Sequence, residues 1–284
     1  MSDVQVSVHS LHIYPIKSCA GITLDQSLLV ETGLDLDRAW MVVDEQHEFV
    51  TQRQWPRMAL VQPTLKHDDV VLRAPGMLAL HLAAGAVEAP VRVKVWNDWV
   101  DAYDMGSLAA QWFSDFLGRP LRLVRFDPEQ RRLSDKAWTG AIEAENAFAD
   151  GFPLLVTSTA SLHELNRRLR AQGQAEVTLA RMRPNLVLDG LDAHGEDHVD
   201  QIVLDTADGP VRLKLVKPCV RCTIPDVDPL TSETSHAVGD VLAGYRADSR
   251  MNGMLTFGMN GVIVEGIDRV LRVGAAGGAS YRFE

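Results

Sequence analysis

Cys219 and Cys222 are the residues of this sequence best suited to chemistry, because two of its only three cysteines lie close together. Lys217 and Arg221 beside them carry positive charge, which favours the thiolate, the form that acts as nucleophile and as soft metal ligand. Residues 211–216 before them alternate apolar and basic side chains, as a strand with one buried face does. The sequence therefore predicts a reactive cysteine pair at the end of a strand.

Two prolines indicate how the pair is presented. Pro218 precedes Cys219, and Pro225 follows Cys222. Because proline lacks the N–H of a regular ladder and disrupts a helix, we expect neither element to continue through the pair. Both cysteines are therefore expected on a loop.

Four roles are open to such a pair. Structural zinc normally has four N/S ligands, but only one Cys-x-x-Cys pair is present, and His194 and His198 precede it. A thioredoxin-type pair opens a helix, whereas residues 225–229 (PDVDP) follow this one. The cysteines can also be packed and inert, although two cations beside them argue against this. The fourth role is a single cysteine that ligates a metal whose other ligands belong to a cofactor.

Composition limits the class of protein. The chain has 284 residues, 46% of them hydrophobic, which is typical of one large or two ordinary globular domains. The N-terminus lacks the pattern of a signal peptide, and no apolar run reaches membrane-spanning length. We therefore expect a cytoplasmic protein, not bound to a membrane, with reduced cysteines.

The net charge of −10 excludes a general nucleic-acid or anionic-membrane surface, since both need a basic face. Basic residues nevertheless recur in a few segments, as solvated surface charges or as one local pocket for an anionic ligand. They are Lys17, Arg38, Arg53, Arg57, Arg181, Arg183, Lys214, Lys217 and Arg221.

Hydrophobic periodicity predicts an α+β fold that is predominantly β. Short alternating segments over residues 4–100 are typical of a β domain such as a barrel. A helix is expected from Ser107, as N-cap, to Gly118, and a second one from the capping-box spacing of Ser161 and Glu164. A polar segment between them marks a boundary, which gives domains 1–125 and 126–284.

Five short motifs occur in an order that covers nearly the whole chain. They are YPIKSCAG (14–21), DRAW (37–40), TQRQ (51–54), RPNL (183–186) and PCVRC (218–222), the last with VDP (227–229) downstream. The first three resemble the N-terminal β-barrel domain that accompanies MOSC domains, and the others resemble the MOSC domain itself. The chain is thus similar to the mitochondrial amidoxime-reducing components and their bacterial counterparts, which bind the molybdenum cofactor and reduce N-hydroxylated compounds.

The resemblance implies a β-barrel-like first domain packed on a MOSC-type β-barrel with a few helices, and a molybdenum–molybdopterin site. Cys222 corresponds to the thiolate that ligates molybdenum. The other residues that the resemblance places at the cofactor are Lys17, Ser18 and Arg38 from the first domain, Arg183 and Asn185 at the pterin and its phosphate, Asp150, Gly151 and Phe152 with their backbone groups, and Cys219, Val220 and Arg221 beside the ligand.

The residue types agree with this chemistry independently of the family. A molybdopterin needs a protein thiolate for its metal and Arg or Lys donors for its phosphate, while the cofactor carries the redox step. The implied reaction removes the oxygen of an N–OH group of a small-molecule substrate, using two electrons and two protons, and releases water. Asp228 is the expected proton donor, with a turn-forming role before Pro229 as the alternative.

Electrons are expected from a separate flavoprotein, ferredoxin or haem protein. Some bacterial relatives end in a ferredoxin-like domain whose [2Fe–2S] cluster needs four cysteines, and no cysteine follows Cys222. The acidic surface would help to bind a basic partner. The residues after Val273 and Gly274 also lack the Asp expected from relatives, which leaves the closure of the last strand open.

Two other functions fit the same residues. MOSC domains also occur at the end of molybdenum-cofactor sulfurases, so Cys222 would carry a persulfide for delivery to another enzyme. A non-catalytic module that stores or transfers the cofactor would bind molybdenum without turnover. Both alternatives stay open on the sequence alone.

Overall fold

Short antiparallel strands make up most of the first half of the chain, as its alternating segments predict. The structure is a computed structural model and describes residues 2–67 and 69–282. The strands up to residue 126 are β1 (Val4–Ile13), β2 (Ile22–Leu24), β3 (Gln26–Val30), β4 (Gly33–Leu34), β5 (Trp40–Val43), β6 (Gln62–Lys66), β7 (Asp69–Arg73), β8 (Leu80–Ala83), β9 (Pro90–Val95), β10 (Asp98–Asp104) and β11 (Arg122–Phe126). One sheet has the order β5-β11-β10-β9 and another the order β6-β7-β8.

A closed β-barrel dominates the second half. The strands after residue 126 are β12 (Leu154–Ser158), β13 (Leu186–Asp189), β14 (Val199–Leu204), β15 (Val211–Val220), β16 (Ala247–Asp248), β17 (Met254–Glu265), β18 (Val270–Arg272) and β19 (Ala276–Tyr281). The barrel order is β12-β13-β1-β19-β14-β15-β17, and β17 pairs again with β12 to close it. The first strand of the chain is therefore a barrel strand, and the predicted boundary between residues 125 and 126 stays a prediction.

Helices are few, so the predicted α+β, predominantly β fold class is confirmed. Within the described ranges, no helix is long and apolar enough to cross a membrane. The α-helices are α1 (Gly106–Leu117), α2 (Lys136–Thr139), α3 (Thr159–Ala171) and α4 (Ala237–Ala243). Short 3-10 helices occur at Pro56–Leu60, Leu179–Arg181, Gly195–His198, Ile224–Asp226 and Ser249–Met251.

The barrel interior is apolar because the inward positions of its strands carry aliphatic side chains. In β1, Val6 and Val8 are buried, and so are Leu11 and Ile13. A bulge between Val8 and Ser10 shifts the alternation by one residue, so all four side chains join the same core. The bulge thus keeps β1 in register with the core up to its end.

Helix α1 ends as predicted but starts differently. Gly118 has φ +73°, the left-handed conformation that a C-terminal glycine adopts easily. The predicted N-cap Ser107 is wrong, because Asp104 accepts a hydrogen bond from the backbone N–H of Gly106 at 2.7 Å and satisfies the first turn instead. The buried face of α1, including Phe113, packs in the core of the first half.

Helix α3 begins one turn before the predicted cap. Ser158 is the N-cap, and its hydroxyl accepts from the backbone N–H of Ser161 at 3.1 Å. Glu164 therefore lies further inside the helix, where it pairs with Arg168 at 2.6 Å across one turn.

The expected loop around the cysteine pair starts later than predicted. Strand β15 continues through Pro218 and Cys219 to Val220, so the placement of Cys219 on a loop was wrong. Shifts in register on both sides of Pro218 show that β-bulges absorb the missing N–H. Cys222 lies beyond the strand and is exposed.

Candidate functional site

One cavity collects the residues that the sequence analysis places at a cofactor. They lie at one end of the barrel, after β1, before β12 and β13, and at the end of β15, and the chain before β5 adds one more. The lining includes Lys17, Ser18, Arg38, Asp150, Gly151, Phe152, Arg183, Asn185, Cys219, Val220, Arg221 and Cys222. The structure thus brings the predicted set together, while the roles of its members stay predictions.

The cavity is basic although the protein is acidic. Its cationic lining residues are Lys17, Arg38, Arg53, Arg183 and Arg221, and its carboxylate is that of Asp150. With the Asp37 carboxylate that pairs with Arg38 included, five positive charges minus two negative charges leave an excess of three, in a chain whose net charge is −10. Clustered like charges repel one another, so this arrangement favours the binding of an anion. We refer to it as the basic cavity.

The two cysteines of the basic cavity have different surroundings. Nη1 of Arg221 lies 3.1 Å from Sγ of Cys219, which is partly buried. Cys222 is exposed, and its sulfur lies 3.5 Å from the backbone nitrogen of Ile224. The ammonium of Lys217 packs over aromatic rings instead of either sulfur. The accessible thiol is therefore that of Cys222, and the guanidinium contacts Cys219.

Tyr14 lies between two arginines of the basic cavity. Its ring centroid is 4.4 Å from Cζ of Arg38 and 4.1 Å from Cζ of Arg183. Arg38 also donates to Asp37 at 2.5 Å, to the side chain of Asn185 at 3.1 Å and to the backbone oxygen of Arg183 at 3.1 Å. Arg38 is thus bonded to Asn185, and its bond to the backbone oxygen of Arg183 helps to position that residue.

Burial shifts the pKa values of Tyr14 and Arg183, but each keeps its usual charge state at neutral pH. Burial raises the pKa of Tyr14 to about 12, with the nearby arginines opposing the rise. Burial, with the neighbouring charge of Arg38, lowers the pKa of Arg183 to about 10. At neutral pH the phenol is therefore neutral and the guanidinium remains charged.

Four lining residues have backbone conformations that L-amino acids seldom adopt. The angle φ is +67° at Ser18, +50° at Arg38, +56° at Trp96 and +59° at Arg183. Each left-handed residue of this kind costs free energy, and such strain concentrates at functional sites. At these four positions of the cavity the left-handed backbone sets the direction in which each side chain leaves the chain.

Asp150 links two residues of the cavity wall. Its Oδ1 accepts from Nζ of Lys17 at 2.5 Å and from Nε1 of Trp96 at 3.0 Å. Nζ of Lys17 also donates to the backbone oxygen of Phe148 at 2.8 Å. Burial lowers the pKa of Lys17, although Asp150 opposes this shift. Protein atoms around Asp150 displace water and raise the pKa of its carboxyl. The charge and hydrogen bond of Lys17 lower that pKa by more, so it lies below its usual range.

Asp228 is the predicted site residue that the structure does not bring to the basic cavity. Its carboxylate accepts from Nη2 of Arg181 at 2.8 Å and from the backbone N–H groups of Leu230 and Thr231 at 2.8 and 3.1 Å. Partial burial raises the pKa of Asp228, but these donors outweigh it and lower the pKa. A carboxyl of this kind is ionised at neutral pH and donates protons poorly. The geometry therefore favours the turn-forming alternative.

Other lining residues were not placed at the cofactor from the sequence, although Arg53 is among the basic residues proposed for an anion pocket. Thr51 and Arg53 lie within the TQRQ motif, so the resemblance contained a signal for them. Trp96 lies at the turn between β9 and β10, and Asn260 lies on β17 opposite Lys217. The distant pairing of β15 with β17 brings Asn260 to the cavity, whereas Trp96 lies in the turn of a local hairpin and bonds to Asp150.

Fold and site together define a β protein with a basic cavity and an accessible thiol at one end of a closed barrel. A family model described as MOSC N-terminal beta barrel domain matches residues 5–120, and one described as MOSC domain matches residues 143–275. The chain belongs to the family of MOSC-domain proteins that carry this N-terminal domain.

Its relatives include the mitochondrial amidoxime-reducing components. Component 1 of Mus musculus is 35% identical over 234 residues, which are 79% of this chain and 66% of that protein. Component 1 of Homo sapiens is 33% identical over 250 residues, 84% of this chain and 72% of that protein. The molybdenum cofactor sulfurase of Homo sapiens is 29% identical over 269 residues, which are 89% of this chain but 29% of the sulfurase.

Proposed function

We propose that this protein binds the molybdenum cofactor through Cys222 and reduces N-hydroxylated compounds with electrons from a separate protein. The observation that carries the proposal is the exposed thiol of Cys222 in the same cavity as five cations. A thiolate suits the metal, and Arg and Lys suit the phosphate of the pterin. The similarity to proteins named amidoxime-reducing components supports the choice of substrate class.

The residues of the basic cavity fit this cofactor. Nε of Arg221 is buried and has no hydrogen-bond partner among residues 2–67 and 69–282, so a donor is left for a ligand. A Cβ built on Gly151 would meet no atom within 4 Å, so the backbone there faces open space. Lys17, Arg183 and Arg221 would hold the phosphate and pterin, and Cys222 would ligate the metal. When bound, the cofactor supplies the transfer of an oxygen atom coupled to two electrons.

The overall reaction balances as R–N–OH plus two electrons and two protons, giving R–N–H and water. The N–O bond breaks, and the substrate nitrogen is reduced while the donor is oxidised. Because Cys222 is exposed, water reaches the site and can deliver both protons without a dedicated carboxylic acid. This accounts for a site that does not include Asp228.

The electron donor in this proposal is a flavoprotein, ferredoxin or haem protein. A redox partner of this kind docks through complementary charge, and the net charge of −10 favours a partner with a basic surface. Added salt is therefore expected to slow turnover with the protein donor but not with a small reductant.

A sulfur carrier is the second candidate function. The observations that favour it are the exposed thiol of Cys222 and the similarity to the molybdenum cofactor sulfurase. A carrier would hold a persulfide on Cys222, which cyanide releases as thiocyanate, and would not reduce N-hydroxylated substrates. A non-catalytic cofactor store would instead bind molybdenum and leave such substrates unchanged.

One experiment separates these functions. Wild type, Cys222→Ser and the control Leu78→Ser, an exposed site outside the cavity, are purified from a host that makes the cofactor. Molybdenum, zinc and pterin are quantified, and reduction of benzamidoxime to benzamidine is followed with reduced methyl viologen. We expect molybdenum and turnover in wild type and Leu78→Ser, and neither in Cys222→Ser. Zinc at equal stoichiometry in a wild type without molybdenum would sink the proposal.

A further inference from the structure

A second cleft adjoins the basic cavity at the reactive cysteine. The two share Arg183 and Ile224 in their linings. The backbone nitrogen of Ile224 lies 3.5 Å from Sγ of Cys222, so a residue that touches the thiol also forms a wall of the second cleft. A molecule that reaches Cys222 therefore has the second cleft beside it.

The second cleft differs from the basic cavity in charge. Among the described residues, its charged lining consists of Arg181 and Arg183. Arg181 is neutralised, because its Nη2 lies 2.8 Å from Oδ2 of Asp228 and its Nη1 donates to the backbone oxygen of Pro225 at 3.1 Å. Arg183 uses Nη1 for the backbone oxygen of Cys19 at 2.7 Å. The described lining of the cleft therefore contains no carboxylate that could bind a cation. Its two arginines are bonded to other protein groups and attract an anion only weakly.

Its remaining lining is uncharged and partly apolar. Gln62 and Thr64 line the cleft from β6, and Val227 and Leu230 line it from the opposite half of the chain. Leu230 is 81% exposed, so its apolar side chain is accessible to a ligand in the cleft. Asp228 fixes that turn, since its Oδ1 accepts from the N–H of Leu230 at 2.8 Å. The turn that Asp228 fixes therefore holds the apolar side chain of Leu230 at the cleft.

We propose that the second cleft binds the uncharged organic body of the substrate, an aryl or alkyl group, while its N–OH group reaches the metal that Cys222 would hold. The inference rests on the proposed function and adds a specificity site to it. The basic cavity favours an anion, whereas the second cleft, in which Arg181 is paired with Asp228, gains binding from apolar and amide-like surfaces. Asp228, which neutralises Arg181 and positions Leu230, acts here as a specificity residue and not as an acid.

The test compares substrates with and without an organic body. Leu230→Asp places a charge at the rim, and Leu78→Asp is the matched control at an exposed leucine outside the cleft. With reduced methyl viologen as donor, kcat/KM is measured for benzamidoxime and for N-hydroxyurea. We expect the benzamidoxime to N-hydroxyurea ratio to fall about tenfold in Leu230→Asp, mainly through KM, and to stay unchanged in Leu78→Asp.

A second variant, Asp228→Asn, is designed to make the cleft favour an anionic substrate. Asp228→Asn keeps an oxygen for the turn but leaves Arg181 without its counter-charge. Reduction of 4-carboxybenzamidoxime relative to benzamidoxime is expected to rise about tenfold, because a buried guanidinium then attracts the carboxylate. A uniform loss of kcat for every substrate would instead make Asp228 the proton donor and overturn the inference.

Binding is also measured without turnover. Saturation-transfer NMR with benzamidoxime is applied to Cys222→Ser, alone and combined with Leu230→Asp. We expect transfer to the aromatic protons in the first protein and its loss in the second. An enzyme that reduces benzamidoxime but whose Leu230→Asp variant keeps the wild-type substrate ratio refutes the cleft and leaves the proposed function intact. If Leu230→Asp loses activity only with a protein electron donor, the cleft binds the electron-transfer partner and not the substrate. That result would also refute the proposal.

Discussion

Lys17 and Asp150 form an ion pair, with 2.5 Å between Nζ and Oδ1, that joins the segment after β1 to the segment before β12. The side chain of Lys17 is 8% exposed, whereas that of Asp150 is 69% exposed. The two partners therefore depend on the pair unequally. A desolvated ammonium needs its counter-charge, while an exposed carboxylate can return to water.

This inequality predicts different costs for removing either partner. Asp150→Asn leaves the buried ammonium of Lys17 without its counter-charge and is expected to lower the free energy of unfolding by about 2 kcal/mol. Lys17→Met leaves an exposed carboxylate and is expected to cost about 1 kcal/mol or less. Urea unfolding of the cofactor-free variants at pH 7 measures both. Equal costs, or a larger cost for Lys17→Met, would contradict the argument.

The three cysteines are expected to react in an order set by their exposure. Cys222 is exposed, Cys219 is partly buried against Arg221, and Cys19 is buried. Burial also raises the pKa of the Cys19 thiol to about 12, so little thiolate is present there. Iodoacetamide at pH 8 should label Cys222 first, then Cys219, and Cys19 only after urea unfolding. Peptide mass spectrometry of the cofactor-free protein gives the order, and early labelling of Cys19 would be inconsistent with its burial.

Trp96 occupies a turn position that glycine would fill with less strain. It lies in the two-residue connection between Val95 and its partner Asp98, with φ +56°. Trp96→Gly removes the backbone strain together with side-chain contacts, so stability should change by about 1 kcal/mol or less. Loss of the hydrogen bond to Asp150 should nevertheless reduce the molybdenum retained on purification. Thermal unfolding and metal analysis measure the two effects.

A control for this substitution is available at Asp268. It has φ +66° and is exposed, and it does not line the basic cavity. Asp268→Gly relieves the same kind of backbone strain and should leave the molybdenum content unchanged. Equal molybdenum in Trp96→Gly and wild type would show that the hydrogen bond from Trp96 to Asp150 does not support cofactor binding.

The sequence predicts the elements and most of the site because their signals are local. Alternation in 211–216 is enough to indicate β15, and the ordered motifs indicate Lys17, Arg183 and Cys222. The bulges that carry β15 through Pro218 have no local signal, because they depend on the pairing with β17. A prediction from local propensity therefore ends strand β15 too early.

Side-chain partners that are distant in sequence were also not predictable. The partner of Asp228 is Arg181, and only the folded chain brings the two together. Read locally, an Asp before Pro229 allows either an acid or a turn former, and the bonds to Leu230 and Thr231 favour the turn. The left-handed backbone of Arg38 and Arg183 is likewise contrary to local preference, since tertiary contacts impose it.

His194 predicts a pH dependence of stability that does not involve the basic cavity. Its Nδ1 and Nε2 are buried without hydrogen-bond partners among the described residues, and its ring packs on Phe257 at 5.6 Å. Burial, with the charge of Arg246, lowers the pKa of His194 to about 4. In the unfolded chain the imidazole has a pKa of about 6.5, so the unfolded state binds the proton first as pH falls.

The contribution of His194 is therefore complete above pH 6.5 and is lost as pH falls toward 4, by about 3 kcal/mol in the free energy of unfolding. His194→Asn removes the titration and keeps a residue that tolerates φ +60°. Urea unfolding of both proteins from pH 7 to 4 should show their difference changing in favour of the variant. Glu196 has a raised pKa because it is buried, and it acts in the opposite direction in both proteins. Parallel pH profiles of wild type and His194→Asn would mean that the imidazole is protonated equally in folded and unfolded chains.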